Sequence, residues 1–342
     1  MKKIYVYVSL VFVFLIAIIF WWLIQDMNRS LDQPLALTSP SIFTISPGTS
    51  LKKISRQLYA KGWLSRPYYL VLEARRRGLA HRIKAGEYRL VPGITPRGVL
   101  GLIVSGKVVQ YPLTIPEGWT FMQILEAVND NATLKHTLKD ADEKSVMEQL
   151  GHAGEAAEGR FFPDTYHFPR GTSDIEFLRR AYNTMTRVLT EEWDNRDGGL
   201  PYKSAYEALI MASIIEKETS VPEERYKIAG VFVRRLQRGM LLQTDPTVIY
   251  ALGRNFNGDI HNRDLNIDSP FNTYINKGLP PTPIASPGRA SIDAALHPEA
   301  GTALYFVAMG DGHHHFSETL QEHNKAVAKY QLNGKWEIEN RK

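Results

Sequence analysis

One stretch of the chain has no polar face. Residues 4–24 carry no charge, and Ser9 alone interrupts a run of Ile, Val, Leu, Phe, Tyr, Trp and Ala. A run that is apolar all round is not the two-sided helix of a globular surface. As a helix it would be roughly 30 Å long, enough to cross the hydrocarbon of a bilayer. Lys2 and Lys3 precede it, and Gln25 and Asp26 follow. That charge order places the N-terminus in the cytoplasm and the bulk of the chain outside, in a single pass. Trp21 and Trp22 stand where aromatic side chains anchor the outer end. A cleaved signal has a shorter apolar core and ends in a small-x-small site. This run ends in Phe-Trp-Trp-Leu-Ile-Gln, so a retained anchor over residues 1–25 is expected.

Patterning changes after that point. Residues 26–41 contain Pro34, Pro40 and several Ser and Thr, and read as a linker. Residues 42–46 (IFTIS) are β-branched and aromatic, hence a strand. Pro47-Gly48-Thr49-Ser50 supplies a turn and a helix N-cap. Leu51, Ile54 and Leu58 then recur at helical spacing, and Gly62 ends that helix. A second helix is predicted from Arg66-Pro67 to Arg77, stopped by Gly78, and a strand over 86–90. Together these give a βααβ module over 42–109. A helix at 95–104 and a strand at 108–115 lead into a larger region, 110–336. That region mixes helices (177–195, 204–219, 222–237) with Pro- and Gly-rich loops and short strands such as 304–308. The stretch 130–157 is polar and helical in character, and 337–342 form a tail. The fold class expected is therefore α+β: a transmembrane helix, a small βααβ module and a larger mixed domain.

Composition adds limits. The chain has 342 residues, 44% hydrophobic and 23% charged, which suits two folded units rather than one. It has no cysteine, which excludes disulfides and thiolate metal sites. The net charge is +5, but Lys and Arg are dispersed apart from clusters such as Arg75-Arg76-Arg77. A solvated surface with a slight basic excess explains this, and no nucleic-acid partner is expected.

The chemistry concentrates near the end of one helix, ALIMASIIEKETS at 208–220. Glu218 follows Ile214 by four residues, Ile215 by three and Met211 by seven, so it ends an apolar stripe. Desolvation there raises a carboxyl's pKa and suits it to general-acid work. Glu216 also has apolar neighbours, Ala212 and Leu209, so periodicity does not choose between the two. Glu223 and Glu224 follow Pro222 and are accounted for by the helix start. His313-His314-His315 are consecutive and point in different directions, beside a turn at Gly310-Asp311-Gly312, so neither a metal nor another cofactor is expected. Segments 158–166, 242–250, 271–274 and 278–287 set polar groups among aromatics and prolines, the types that saccharide sites use. Composition alone does not separate them from packed loops.

Seven strings carry a family: EGRFFPDTY (158–166), MASIIEKET (211–219), LQTDPTVIY (242–250), FNTY (271–274), GLPPTPIASPG (278–288), LYFVA (304–308) and HHHFSETLQEHN (313–324). In order and spacing the chain resembles the endolytic murein transglycosylases of the MltG (YceG-like) family. The βααβ module, with its Pro-Gly-Thr, resembles the LysM glycan-binding module. The resemblance implies cleavage of the β-1,4 bond between N-acetylmuramic acid and N-acetylglucosamine within a strand. It implies a 1,6-anhydromuramyl end, a lyase outcome, and a role in terminating glycan elongation. It places the catalytic Glu in IIEKET. Glu followed by a small hydroxyl residue, like the Glu-Ser of other lytic transglycosylases, selects Glu218 over Glu216. Gln243, Asp245, Tyr250, Asn272 and Tyr274 are the residues expected to line the cleft, and Asp164 to cap a turn. The cytoplasmic (inner) membrane, peptidoglycan glycan strands, penicillin-binding proteins and other wall-synthesis enzymes are the implied location and partners. Two alternatives stand beside the lyase. One is a glycan hydrolase with Asp245 as second carboxylate; the other is a non-catalytic glycan-binding scaffold for cell-wall synthases.

Overall fold

One helix, α1 (Lys2–Asp32), opens the chain. The structure is a computed structural model and describes residues 2–138 and 141–332. The expected tail, and the last residues of the region expected to end at 336, lie outside the described residues. Residues 4–25 of α1 leave every side chain exposed, and the helix is long and apolar enough to cross a membrane. It does not stop at Gln25. Met27 and Leu31, four residues apart, are buried with Tyr69, so the helix turns from apolar all round to two-sided and continues. Asp26 accepts hydrogen bonds from the Tyr69 hydroxyl and Arg66. Arg97 donates to Asp32 at 2.8 and 2.9 Å and to the Asn28 amide oxygen at 2.6 Å. The loop beyond is tied down by Leu35 N–H to Ile94 O (2.8 Å) and Ala36 N–H to Trp63 O (3.0 Å). Within the expected linker, residues 26–41, Met27, Leu31 and Leu35 form a buried edge, whereas residues 38–40 are exposed.

Contacts divide the chain into two compact units. The first reaches Tyr111 and includes His167–Gly171. After α1 it contains β1 (Ser41–Ile45), α2 (Leu51–Ala60), α3 (Pro67–Arg76), β2 (Gly86–Leu90) and α4 (Pro96–Ser105). β1 and β2 pair antiparallel, with Phe43 opposite Tyr88. Alternation puts Phe43, Ile45, Tyr88 and Leu90 on one face, over Ile54, Leu58, Leu70 and Ile103. Ser50 and Thr95 cap α2 and α4, each accepting a backbone N–H three residues on. A buried carboxylate, Glu73 of α3, is surrounded by Arg76 (3.0 Å), Arg77 (2.6 Å) and Arg97 (3.2 Å). Burial alone would raise its carboxyl, but the arginines outweigh that and hold it below the usual range.

The second unit comprises Pro112–Tyr166 and the chain from Thr172 on. The strands β3 (Tyr111–Thr114) and β4 (Thr165–Phe168) form a two-stranded sheet, and α5 (Phe121–Asn129) and α6 (Glu143–Leu150) lie between them in sequence. Among the described residues of the polar stretch 130–157, only α6 is regular helix. Then follow α7 (Asp174–Asp194), α8 (Ala205–Glu218), α9 (Arg225–Gln237), α10 (Asp245–Leu252), α11 (Arg289–Leu296), β5 (Tyr305–Ala308), β6 (His314–Ser317) and α12 (Leu320–Val327). Residues 208–215 of α8 are buried throughout, so this helix is the centre of the core. β5 and β6 form an antiparallel hairpin around the turn 309–313.

The Glu73 cluster gives a stability prediction. Its arginines are partly exposed, so screening limits its worth to about 1–2 kcal/mol. Glu73→Gln should lower hydrogen-exchange protection of the α3 amides by that amount near pH 7. A carboxyl depressed on folding stabilises above its unfolded value and stops doing so as pH falls through its folded one. The difference between variant and wild type should therefore begin to shrink as pH falls below about 4.3, the unfolded glutamate value, and keep shrinking as pH falls further.

Candidate active site

Helix α8 is surrounded by core until its last turn, where Glu216, Lys217 and Glu218 emerge. The structure separates the two glutamates that periodicity left equal. Glu216 accepts the Gly288 N–H (3.0 Å) and the Ser291 hydroxyl (2.7 Å), both at the start of α11. It is a helix cap supplied from another element. Glu218 accepts the Thr244 hydroxyl and lines a cavity of about 490 Å³. Gln243, Asp245, Tyr274, Arg235 and His314 lie on the same cavity. Thr219, which follows Glu218, is buried, and its hydroxyl accepts the Val221 N–H at 3.0 Å. That residue shapes the turn out of α8 rather than the cavity wall.

Burial pushes the Glu218 carboxyl up to about 7. The Thr244 hydroxyl opposes the shift, the Asp245 carboxylate adds to it, and the Arg235 guanidinium opposes it again. A lattice of threonines positions Thr244. The Thr273 hydroxyl accepts the Thr244 N–H (3.1 Å) and meets the Thr247 hydroxyl at 2.9 Å. The single proton on Thr247 Oγ1 goes to Thr244 O (2.7 Å), so Thr273 is the donor in that pair. Gln243, just before, has φ +53°, a left-handed conformation rare outside glycine. Its N–H donates to Thr273 O at 3.1 Å, which holds the strained residue in place.

Asp245 opens α10, and the Tyr274 hydroxyl donates to it. Burial, and then that hydrogen bond, push the Tyr274 phenol well above its usual range. Arg235 is buried and donates to Leu304 O (2.6 Å), Leu241 O (3.1 Å) and Leu242 O (2.8 Å). One side chain thus fixes the residue before β5 and the loop before Gln243. His323 lies over Tyr305 at 5.3 Å; burial, then Arg235, hold its ring below the ordinary histidine range.

Two expected cleft residues stand elsewhere. Tyr250 is five residues after Asp245, roughly 140° around α10. Its hydroxyl donates to Glu158 at 3.1 Å and its ring packs on Phe271. Asn272 is fully buried, and its amide is committed to Leu265 O (3.0 Å), Ile267 O (2.9 Å) and the Tyr274 N–H (2.9 Å). It shapes the loop that carries Tyr274 and has no group left for a ligand. Asp164 accepts the N–H of Thr165 at 2.7 Å, away from the cavity.

Residues that the sequence reading passed over also appear. Glu158 is a second carboxyl pushed up to about 7 by burial, but both its oxygens are engaged, by Phe121 N–H and Tyr250. The three histidines diverge: His313 faces Asp311 at 3.6 Å, His315 tilts over Tyr330, and His314 meets Glu224 at 2.7 Å. Glu224, which the helix start seemed to explain, is therefore a partner of the cavity wall.

A sequence model of the YceG-like family matches residues 43–329. A Bacillus subtilis protein named endolytic murein transglycosylase is 35% identical over 268 residues, 73% of this chain and 74% of that protein. One of the same name from Streptococcus pneumoniae is 29% identical over 282 residues, 72% of this chain. The match takes in 51% of that longer relative, so the chain spans about half its length. The crystal structure of a YceG-like protein from Listeria monocytogenes aligns with a TM-score of 0.54 at 33% identity, covering 84% of this chain and 99% of that one.

The Thr244 contact can be tested directly. Thr244→Val removes a hydroxyl that favours the ionised carboxyl, so Glu218 should titrate higher, by roughly half to one pH unit. Carbon-13 NMR of labelled glutamate carboxyls reads this; an unchanged or lower midpoint would contradict the assignment.

Proposed function

The chain belongs to the YceG-like family, and from that premise we propose that it is an endolytic lytic transglycosylase of peptidoglycan with Glu218 as its acid and base. The observation that carries this is a carboxyl pushed up to about 7 at the end of a buried helix, on an open cavity, in a chain whose relatives bear that enzyme name. A carboxyl with that value is populated in both forms near neutral pH, as an acid that must then act as a base requires. Protonated Glu218 gives its proton to the glycosidic oxygen between N-acetylmuramic acid and N-acetylglucosamine. The bond from C1 to that oxygen breaks, and positive charge develops at C1. The C6 hydroxyl of the same muramyl residue attacks C1, and Glu218 takes its proton. The enzyme is regenerated, no water is consumed, and a 1,6-anhydro ring remains. Intramolecular attack supplies the proximity that a hydrolase obtains by positioning water. Asp245 is beside Glu218 and carries the sign that favours positive charge at C1.

Hydrolysis through Asp245 is the second reading. The Tyr274 hydroxyl already engages that carboxylate, and the relatives are named transglycosylases, which favours the lyase. A purely scaffolding role gives no reason for a raised carboxyl on a cavity. On this reading α1 is a single-pass anchor in the cytoplasmic membrane, with Lys2 and Lys3 inside and the catalytic unit outside. The strand-helix-helix-strand order of β1, α2, α3 and β2 supports a LysM-like module that holds glycan. Wall-synthesis enzymes are the protein partners this role implies.

Mass spectrometry of peptidoglycan digested by the wild type should show 1,6-anhydromuramyl ends; reducing ends in their place would sink the lyase. Glu218→Gln should slow cleavage by about 10²–10⁴-fold. Activity needs the proton on Glu218 at the outset, so it should fall as pH rises through about 7. Asp245→Asn should move that alkaline limb to lower pH and Thr244→Val to higher pH. Shifts of the same sign would overturn one of these two influences on Glu218.

A further inference from the structure

Glu224 stands at the N-cap of α9, yet its side chain makes no capping hydrogen bond there. It turns instead to β6 and grips His314 at two points. One oxygen accepts the His314 backbone N–H at 2.9 Å, and the other faces its ring Nδ1 at 2.7 Å. Both side chains are nearly out of water, 11% exposed for His314 and 9% for Glu224, so solvent hardly competes for the pair. The Phe306 ring meets the imidazole edge-on at 5.3 Å and 90°. A half-turn of the ring would place carbon against the carboxylate, so the orientation is locked. A carboxylate only accepts, which puts a ring proton on Nδ1; in the neutral ring Nε2 then keeps a lone pair. Among the described residues no hydrogen bond reaches Nε2, and His314 lines the cavity that holds Glu218.

We propose that His314, oriented by Glu224, is a substrate-binding residue whose Nε2 accepts a hydrogen bond from an O–H or N–H of the amino-sugar strand. The inference rests on the glycan reading of the cavity and adds a polar contact to it. His314 touches the ligand; Glu224 is a positioning residue that acts through the histidine's tautomer. Glu218 and Glu224, at the two ends of the segment 218–224, thereby serve one cavity by different means. Glu218 exchanges a proton, whereas Glu224 fixes one in place.

The test uses the full chain in detergent with Glu218→Gln as the non-cleaving parent. The probe is a fluorescently labelled, stem-free oligosaccharide of alternating N-acetylglucosamine and N-acetylmuramic acid, with binding read by polarisation. His314→Asn keeps an amide near Nδ1 but has nothing at Nε2, and should weaken binding about tenfold. His314→Gln can place its amide oxygen near Nε2 and should retain binding within about threefold. Glu224→Gln can donate to Nδ1 and drive the ring proton to Nε2, where it opposes a donor, so it should weaken binding as His314→Asn does. Unfolding midpoints equal to the parent's should accompany these losses. Equal losses for Asn and Gln with lowered midpoints would show a structural role and overturn the proposal. Undiminished binding by His314→Asn, with the parent binding normally, would also overturn it while leaving the glycan reading intact. A parent that does not bind the probe would remove the glycan reading itself, and this contact with it.

Discussion

Helix α8 has no face to give to water. Residues 208–215 are all buried, against neighbours in α7, α9, α10 and α11. Such a helix meets solvent only at its ends, so any chemistry it carries must lie there. Its last turn delivers two carboxyls two residues apart, and their fates are set by what the surrounding elements offer. Glu216 finds the Gly288 N–H and the Ser291 hydroxyl at the start of α11 and becomes part of the packing. Glu218 finds one hydroxyl and an open cavity. The same core also fixes a neighbouring loop. Ser213, inside α8, donates to Ile210 O and accepts the Ile284 N–H, so the proline-rich loop is pinned to the helix that carries the acid.

Three devices keep polar groups in register around Glu218. Arg235 gathers three carbonyls and so holds the Gln243 loop to the residue before β5. The Thr247 and Thr273 hydroxyls hold the Thr244 backbone, and the Thr244 hydroxyl is left to donate to Glu218. Gln243 takes a left-handed backbone that a glycine would adopt more easily, so a side chain is retained there despite strain. Strain on a cavity rim, held by a buried hydrogen-bond lattice, is what a site gains from rigid support.

Much of this was legible in the sequence, and the rest was hidden for identifiable reasons. The stripe Met211, Ile214, Ile215 made Glu218 eligible, because period 3.6 is a local property. It could not decide against Glu216, whose partners lie 72 and 75 residues away. Tyr250 and Asn272 have the right chemistry for sugar, but composition does not show that Tyr250 faces away from Asp245 or that three backbone groups saturate Asn272. Helix-start grammar explained Glu224 too well; its partner is 90 residues on. The pattern 27, 31, 35 after the apolar run was readable as a buried edge, and the prolines nearby masked it. His314 could have been separated from His313 and His315 only by reading 314–317 as a strand.

A raised carboxyl is not by itself a sign of catalysis, as Glu158 makes plain. Burial pushes both Glu158 and Glu218 to about 7. In Glu158 both oxygens are occupied, one by a backbone N–H at the start of α5 and one by Tyr250. A proton moving there would disrupt packing and would reach nothing. Around Glu218 the other influences come from groups on or beside the cavity: the Thr244 hydroxyl and the Arg235 guanidinium, which oppose the rise, and the Asp245 carboxylate, which adds to it. A ligand that displaces water there would change the balance among those groups and shift the carboxyl's preference during the reaction. The feature that sets Glu218 apart from Glu158 is therefore access combined with an incomplete set of hydrogen bonds. A reaction whose nucleophile is built into its substrate can run on one such acid, provided the walls hold the sugar in a single pose.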